Sequence, residues 1–169
     1  MDGYDSRADT LAHSLRVGAL LVDALAELMR RAVQHDLSKL DEPERSTYDT
    51  FVPLLQQATF GTEEYRAIGR QMGVGLQHHY AHNRHHPEHF PDGIDGMTLV
   101  DLLEMLADWK AASERRGGGD FTASLATAAE RFAISPQLAG ILRNTAAHFG
   151  WLGVGGVGIE DSTGAEKGT

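Results

Sequence analysis

Between Asp9 and Val33 the apolar residues Leu11, Leu15, Val22, Leu25, Leu28, Met29 and Ala32 fall at helical spacing, with no proline and one glycine. That periodicity predicts one long amphipathic helix. It should stop near Gln34-His35-Asp36, where Asp36, Ser38 and Asp41 favour caps and turns, and Glu42-Pro43-Glu44 should open a second helix running to about Gln57. Phe60-Gly61 is a break, and Thr62-Glu63-Glu64 reads as an N-cap with first-turn carboxylates. The third helix carries Tyr65, Ile68, Met72 and Leu76 and delivers His78, His79 and His82. Gly73 and Gly75 either weaken it or let another backbone come close. Pro87 disfavours helical geometry at His86, so residues 85 to 89 should form a turn leading into Pro91-Asp92-Gly93.

Further on, Thr98 and Asp101 have capping-box spacing, while Leu99, Leu102, Leu103 and Leu106 form a stripe for burial. The other face of that helix carries Asp101, Glu104 and Asp108. Arg115-Arg116-Gly117-Gly118-Gly119 ends it, Asp120 caps a helix through Arg131, and Ser135-Pro136 starts a last helix to about His148. No strand-like alternation and no repeat is visible. The expectation is an all-α fold: one compact domain of about six helices over residues 1–149, then a flexible tail over 150–169, where seven of twenty residues are glycine.

The chain's 169 residues suit one domain. A formal charge of −9 and a pI near 5.4 argue against long nucleic acids and anionic membranes as partners, although a local basic cluster can still grip a phosphate. The N-terminus lacks the order of a signal peptide and the longest apolar run, Gly18 to Val22, is too short to span a bilayer, so a cytoplasmic location is expected. Oligomerisation stays open. With no cysteine, any metal must rest on nitrogen and oxygen ligands.

Six of the nine histidines lie between Gln77 and Phe90. Solvent would be equally content with Lys or Glu at such positions, so the cluster points to a metal site. His35-Asp36 sets an imidazole beside a carboxylate where a helix gives way to a turn, and such donors suit Fe, Mn, Zn, Co or Ni better than Ca. Taken alone, the dipeptide reads more often as a capping Asp beside a surface His. Asp108 lies in the C-terminal half of its helix, where the dipole disfavours an unpaired carboxylate, so a metal or a basic partner is the better reading for it.

His13-Ser14-Leu15-Arg16-Val17, then Ala32-Val33-Gln34-His35-Asp36-Leu37-Ser38-Lys39, then Leu106-Ala107-Asp108 resembles the HD-domain superfamily of metal-dependent phosphohydrolases in order and helical setting. Arg31-Ala32, His35-Asp36-x-Ser38-Lys39-Leu40, His78-His79-Tyr80-Ala81, Asn83 through Phe90, and Gly96-Met97 through Asp108-Trp109-Lys110-Ala111-Ala112 look like an uncharacterised bacterial and phage family of HD-like character, over roughly residues 10 to 148. His82 stands where that family has asparagine. The resemblance implies that His35, Asp36, His13 and Asp108 bind one divalent transition metal, and that His79, His85 and His86 stand where two-metal members place further ligands. In those members the Asp carboxylate bridges the ions and a water between them is the nucleophile.

His13 sets a condition. It precedes His35 by 22 residues, about 33 Å along an unbroken helix, so either the helix breaks between Leu20 and Met29 or His13 is outside the ligand set. Lys39 resembles the lysine that HD-type hydrolases present to phosphate, which gives Asp36 and Lys39 catalytic roles, and Lys39, Arg84 and Lys110 are candidates for contacting a phosphoryl group. The implied function is a metal-dependent phosphohydrolase acting on a small phosphorylated substrate, nucleotides among the candidates. Two alternatives stand beside it: a di-iron oxygenase of HD type, and a non-enzymatic helical metal-binding or interaction module.

Overall fold

The computed structural model describes residues 5–59, 62–115 and 120–152, and within them every regular element is helical. The expected breaks at Phe60-Gly61 and Gly117-Gly118-Gly119, and the tail beyond Leu152, lie outside the described residues. Among the described residues there are seven α-helices: α1 (Arg7–Gln34), α2 (Glu44–Gln57), α3 (Glu63–Gln71), α4 (Gly73–His82), α5 (Leu99–Arg115), α6 (Phe121–Arg131) and α7 (Pro136–His148). Short 3-10 turns at Leu37–Leu40, Pro87–His89 and Gly93–Gly96 supply the connections. The all-α expectation therefore holds, with one more helix than the periodicity separated. No helix among the described residues is long and apolar enough to cross a membrane.

That extra helix comes from the third predicted segment, which divides at Met72-Gly73 into α3 and α4. Gly73 has a φ of +46°, in the left-handed region where a side chain would be strained, and it turns the chain between the two helices. Gly75 has a different reason. A Cβ there would overlap Cβ and Oγ1 of Thr47, so α2 and α4 pack closely only because position 75 has no side chain.

The chain folds as two compact units, Met1–Met105 and Leu106–Thr169. In the first, α1 is unbroken from Arg7 to Gln34, and Asp36 takes a φ of 59° as the chain turns into the following 3-10 turn. Asp and Asn are the non-glycine residues that best tolerate this region. The expected capping box opens α5: the Thr98 backbone N–H and hydroxyl donate to Asp101 Oδ2 at 2.8 and 2.7 Å, and the Asp101 N–H donates to Thr98 Oγ1 at 3.3 Å.

In the second unit, Asp120 caps α6 by accepting from the Thr122 N–H, and Ser135 caps α7 by accepting from the Leu138 N–H with Pro136 in the first turn. Phe121, Leu125, Leu142 and Ala146 are buried, and Trp109 stacks on Phe132 with centroids 5.8 Å apart. This unit has an ordinary apolar interior.

Candidate metal centre

Four donor groups of the first unit converge on one point. His79 comes from the last turn of α4, His85 and His86 from the turn after it, and Asp36 from the left-handed position after α1. One ligand atom from each lies within 4.8 Å of all the others. His79 Nε2 is 2.8 Å from His86 Nε2 and 3.4 Å from Asp36 Oδ1, while His85 Nε2 is 3.5 Å from the same oxygen. Atoms held about 2.1 Å from a single ion are roughly 3.0 to 3.4 Å apart in octahedral or tetrahedral arrangement. The observed spacings lie close to that range.

Two of these atoms, Asp36 Oδ1 and His85 Nε2, are buried without a hydrogen-bond partner. Buried polar atoms are otherwise nearly always satisfied, so two orphans aimed at one point need an explanation that a cation supplies. The histidine tautomers point the same way. His79 Nδ1 is 2.8 Å from Glu44 Oε2, and His85 Nδ1 is 3.3 Å from Glu104 Oε1, which also lies 2.9 Å from His35 Nδ1. An ionised carboxylate only accepts, so each Nδ1 carries the proton and each Nε2 keeps its lone pair. That carboxylate–histidine arrangement is what orients imidazoles toward metals. His35, Asp36 and His85 also offer atoms within 4.8 Å of one another, a second grouping that shares Asp36 and His85 with the first.

The charges around the centre are mutually supporting. Burial works to raise the Asp36 carboxyl, but the Lys39 ammonium, 2.5 Å from Oδ2, together with His35 and His79, holds it below the usual carboxylate range. Glu44 is fully buried; desolvation opposes its ionisation, yet hydrogen bonds from His78, His79 and Ser38 outweigh it. Glu104 is likewise held well below its ordinary value, against burial, by His35, His85 and Arg31. Burial and the nearby Lys39 charge lower the His79 pKa, more than Asp36 and Glu44 raise it, which keeps the ring neutral at pH 7. The imidazole is thus in its ligating form.

Beyond the ligands runs an ion-pair chain. Arg31 Nη1 bonds Glu104 Oε2 at 3.1 Å and Asp101 Oδ1 at 2.6 Å, and Asp101 in turn holds Arg84 through two bonds of 3.0 Å. Beside it lies a cavity of about 110 Å³ walled in part by Arg30, Arg31, Arg84, His85 and Glu104.

The structure thus brings together His35, Asp36, Lys39, His79, His85 and His86. Arg84 joins their hydrogen-bond network through Glu104, Arg31 and Asp101. His13 requires a correction: it is exposed on an unbroken α1, about 33 Å along the helix from His35, and so cannot share an ion with it. Asp108, half-buried one turn past Glu104 on α5, and Lys110, whose ammonium faces Glu114 and the Phe121 ring, belong to the second unit. Glu44 and Glu104 were not singled out from the sequence. The signal for Glu104 was its place between Asp101 and Asp108 on one helix face, whereas Glu44 looked like an ordinary first-turn carboxylate after Pro43.

Comparison with known proteins leaves the activity open. No curated protein and no solved structure matches the chain. The model of the family of unknown function DUF5662 matches residues 2–148, nearly the whole described length, and the chain belongs to that family.

Proposed function

We propose that the protein is a metal-dependent phosphohydrolase of HD-like character acting on a small phosphorylated substrate. The observation that carries the metal is the convergence of Asp36 Oδ1 with three imidazole Nε2 atoms, two of these four atoms being buried orphans. Phosphoryl chemistry is supported by the likeness of the His35-Asp36-x-Ser38-Lys39 run to HD-type hydrolases and by the cationic groups nearby. A bound divalent ion would supply Lewis acidity and lower the pKa of a water.

The chain's own residues have definite tasks in this reading. His79, His85 and His86 present lone pairs, and Glu44 and Glu104 hold the first two in register. Asp36 turns one oxygen to the centre and the other to Lys39, which keeps a positive charge next to the position a phosphoryl oxygen would take. The cavity bordered by Arg30, Arg31 and Arg84 suits a small anion better than a long polyanion on a chain of net charge −9.

The test is elemental analysis of the purified chain followed by turnover of a panel of phosphate mono- and diesters with each reconstituted metal. Asp36→Asn keeps a residue at ease with the left-handed backbone while removing the charge, so it separates chemistry from folding. Full activity in Asp36→Asn and His79→Gln would refute the assignment. Oxygen uptake with iron and no ester hydrolysis would redirect it to the oxygenase reading.

A further inference from the structure

The first twenty residues of α1 are exposed, from Arg7 through Ala26, on a helix whose sequence reads as strongly amphipathic. Its apolar stripe is left in water: Leu11 is 65% exposed, Leu15 75%, Val22 62%, Leu25 55% and Met29 63%. The side chains α1 directs to the rest of its unit include Arg31 and, just past its end, His35, and with half-buried Leu28 they lie on the face opposite Met29 and Val33. A 28-residue helix with one face already used at its C-terminal end and a second, apolar face uncovered is a helix made for a partner.

The partner is legible in the spacing. Leu11, Leu15, Gly18, Val22, Leu25 and Met29 follow one another at intervals of four, three, four, three and four residues, the 3.5-residue period of a left-handed two-helix seam. We propose that α1 of one copy pairs antiparallel with α1 of a second copy about a two-fold axis near Leu20.

Orientation follows from both size and charge. About that axis Leu11 faces Met29 of the other copy, Leu15 faces Leu25, and Gly18 faces Val22, so the small residue meets a branched one in every layer where it occurs. A parallel pair would set Gly18 against Gly18 and leave a gap. Asp9, Arg16, Asp23 and Arg30 recur every seven residues along one flank with alternating sign. Antiparallel pairing brings these flanks onto the same edge, Asp9 beside Arg30 and Arg16 beside Asp23, and Ala12, Ala19 and Ala26 between seam and flank leave room for the arginines to reach across. Parallel pairing puts the two flanks on opposite edges. Ten large apolar side chains at these exposures contribute about 1,000 Å², which with the alanines and the charged flanks approaches the roughly 1,200 Å² of the smaller stable interfaces.

The experiment is sedimentation equilibrium on the full chain at micromolar concentrations. Wild type should give twice the chain mass of 18.4 kDa. Leu15→Glu with Leu25→Glu should give the single-chain mass with unchanged helicity and metal content, since both positions are exposed and remote from the histidine cluster. Arg16→Glu should weaken the dimer at least tenfold, and adding Asp23→Arg should restore it, because every Arg16–Asp23 contact then becomes Glu–Arg. A wild-type chain that stays single, a seam variant that still pairs, or a charge swap that does not restore pairing would each overturn the proposal.

Discussion

Glu44→Gln removes one charge from a carboxylate that is fully buried and accepts three hydrogen bonds, from His78 Nδ1 at 2.7 Å, His79 Nδ1 at 2.8 Å and Ser38 Oγ at 3.0 Å. The amide has one accepting oxygen where the carboxylate had two. Whichever way it lies, an NH2 group faces either His78 or the His79–Ser38 pair. When it faces His79, the favoured tautomer moves the ring proton to Nε2, where a metal would bind. Loss of such a supporting contact weakens metal binding by 10- to 100-fold, about 1.4 to 2.7 kcal/mol. Titration calorimetry with Zn, Mn and Fe(II) reads this directly, with Glu42→Gln as control, since Glu42 is exposed and pairs only locally with Arg45 and Ser46. Thermal unfolding of the metal-free proteins separates a change in affinity from a change in folding. If Glu44→Gln and Glu44→Met, which offers His79 no carboxylate or amide oxygen in either orientation, both bind every metal as tightly as wild type, the Glu44–His79 contact does not set the tautomer and the centre is not built as described.

Other outcomes follow from the same geometry. Hydrogen bonds from Arg84, Thr98 and Arg31 overcome burial and hold the Asp101 carboxyl at about 2 rather than 3.8, worth about 2 kcal/mol at neutral pH. Because the folded value is the lower one, this stabilisation is present above pH 4 and is lost as pH falls toward 2; urea unfolding from pH 7 to 3 should show it, and Asp101→Asn should flatten the profile. Gly75→Ala should cost about 1 to 3 kcal/mol by forcing α2 from α4, and Thr47→Gly should recover part of that loss, measured as denaturation midpoints; an unchanged midpoint in Gly75→Ala would contradict the close approach. Chelation of a metal present at a hundred times its Kd should remove about 2.7 kcal/mol of stability. Hydrogen exchange should then rise in α2 and α4 while α6 and α7 keep their protection, and a uniform rise would contradict local ordering by the metal.

The helices were legible because each carries its own local instructions: Ser135-Pro136 starts α7, Asp120 caps α6, and the Thr98–Asp101 pair starts α5. The division of α3 from α4 was not, since Gly73 in a helical pattern reads only as lowered propensity until its positive φ is seen. The histidine cluster announced itself by composition, yet only tertiary structure separates its members. His79, His85 and His86 turn inward, His82 stacks on His78 and bonds its carbonyl, and His89 Nδ1 bonds the Tyr80 carbonyl. The two carboxylates that orient the rings come from α2 and α5, 35 residues before His79 and 19 after His85, and no local pattern spans such distances. His13 shows the opposite limit: the helix rise posed the conflict in the sequence, and the unbroken α1 resolved it against His13.

The two units differ in what fills them, and this bears on what an ion would do. Among the described residues the buried apolar side chains of the first unit are Met72, Pro87, Leu102 and Met105, while Glu44, His79, Asn83, His85 and Asp101 are buried beside them. An interior of that kind gains little from the hydrophobic effect and depends on every polar partner being met. The partners are met throughout the network except at Asp36 Oδ1 and His85 Nε2, the two atoms that face the shared point of the cluster. Under the proposed function, ordering α2, α4, the turn after α4 and the chain at Asp36 around a cation would serve folding and chemistry at once, for the donors that would activate a substrate are the same groups whose burial a bound charge would offset.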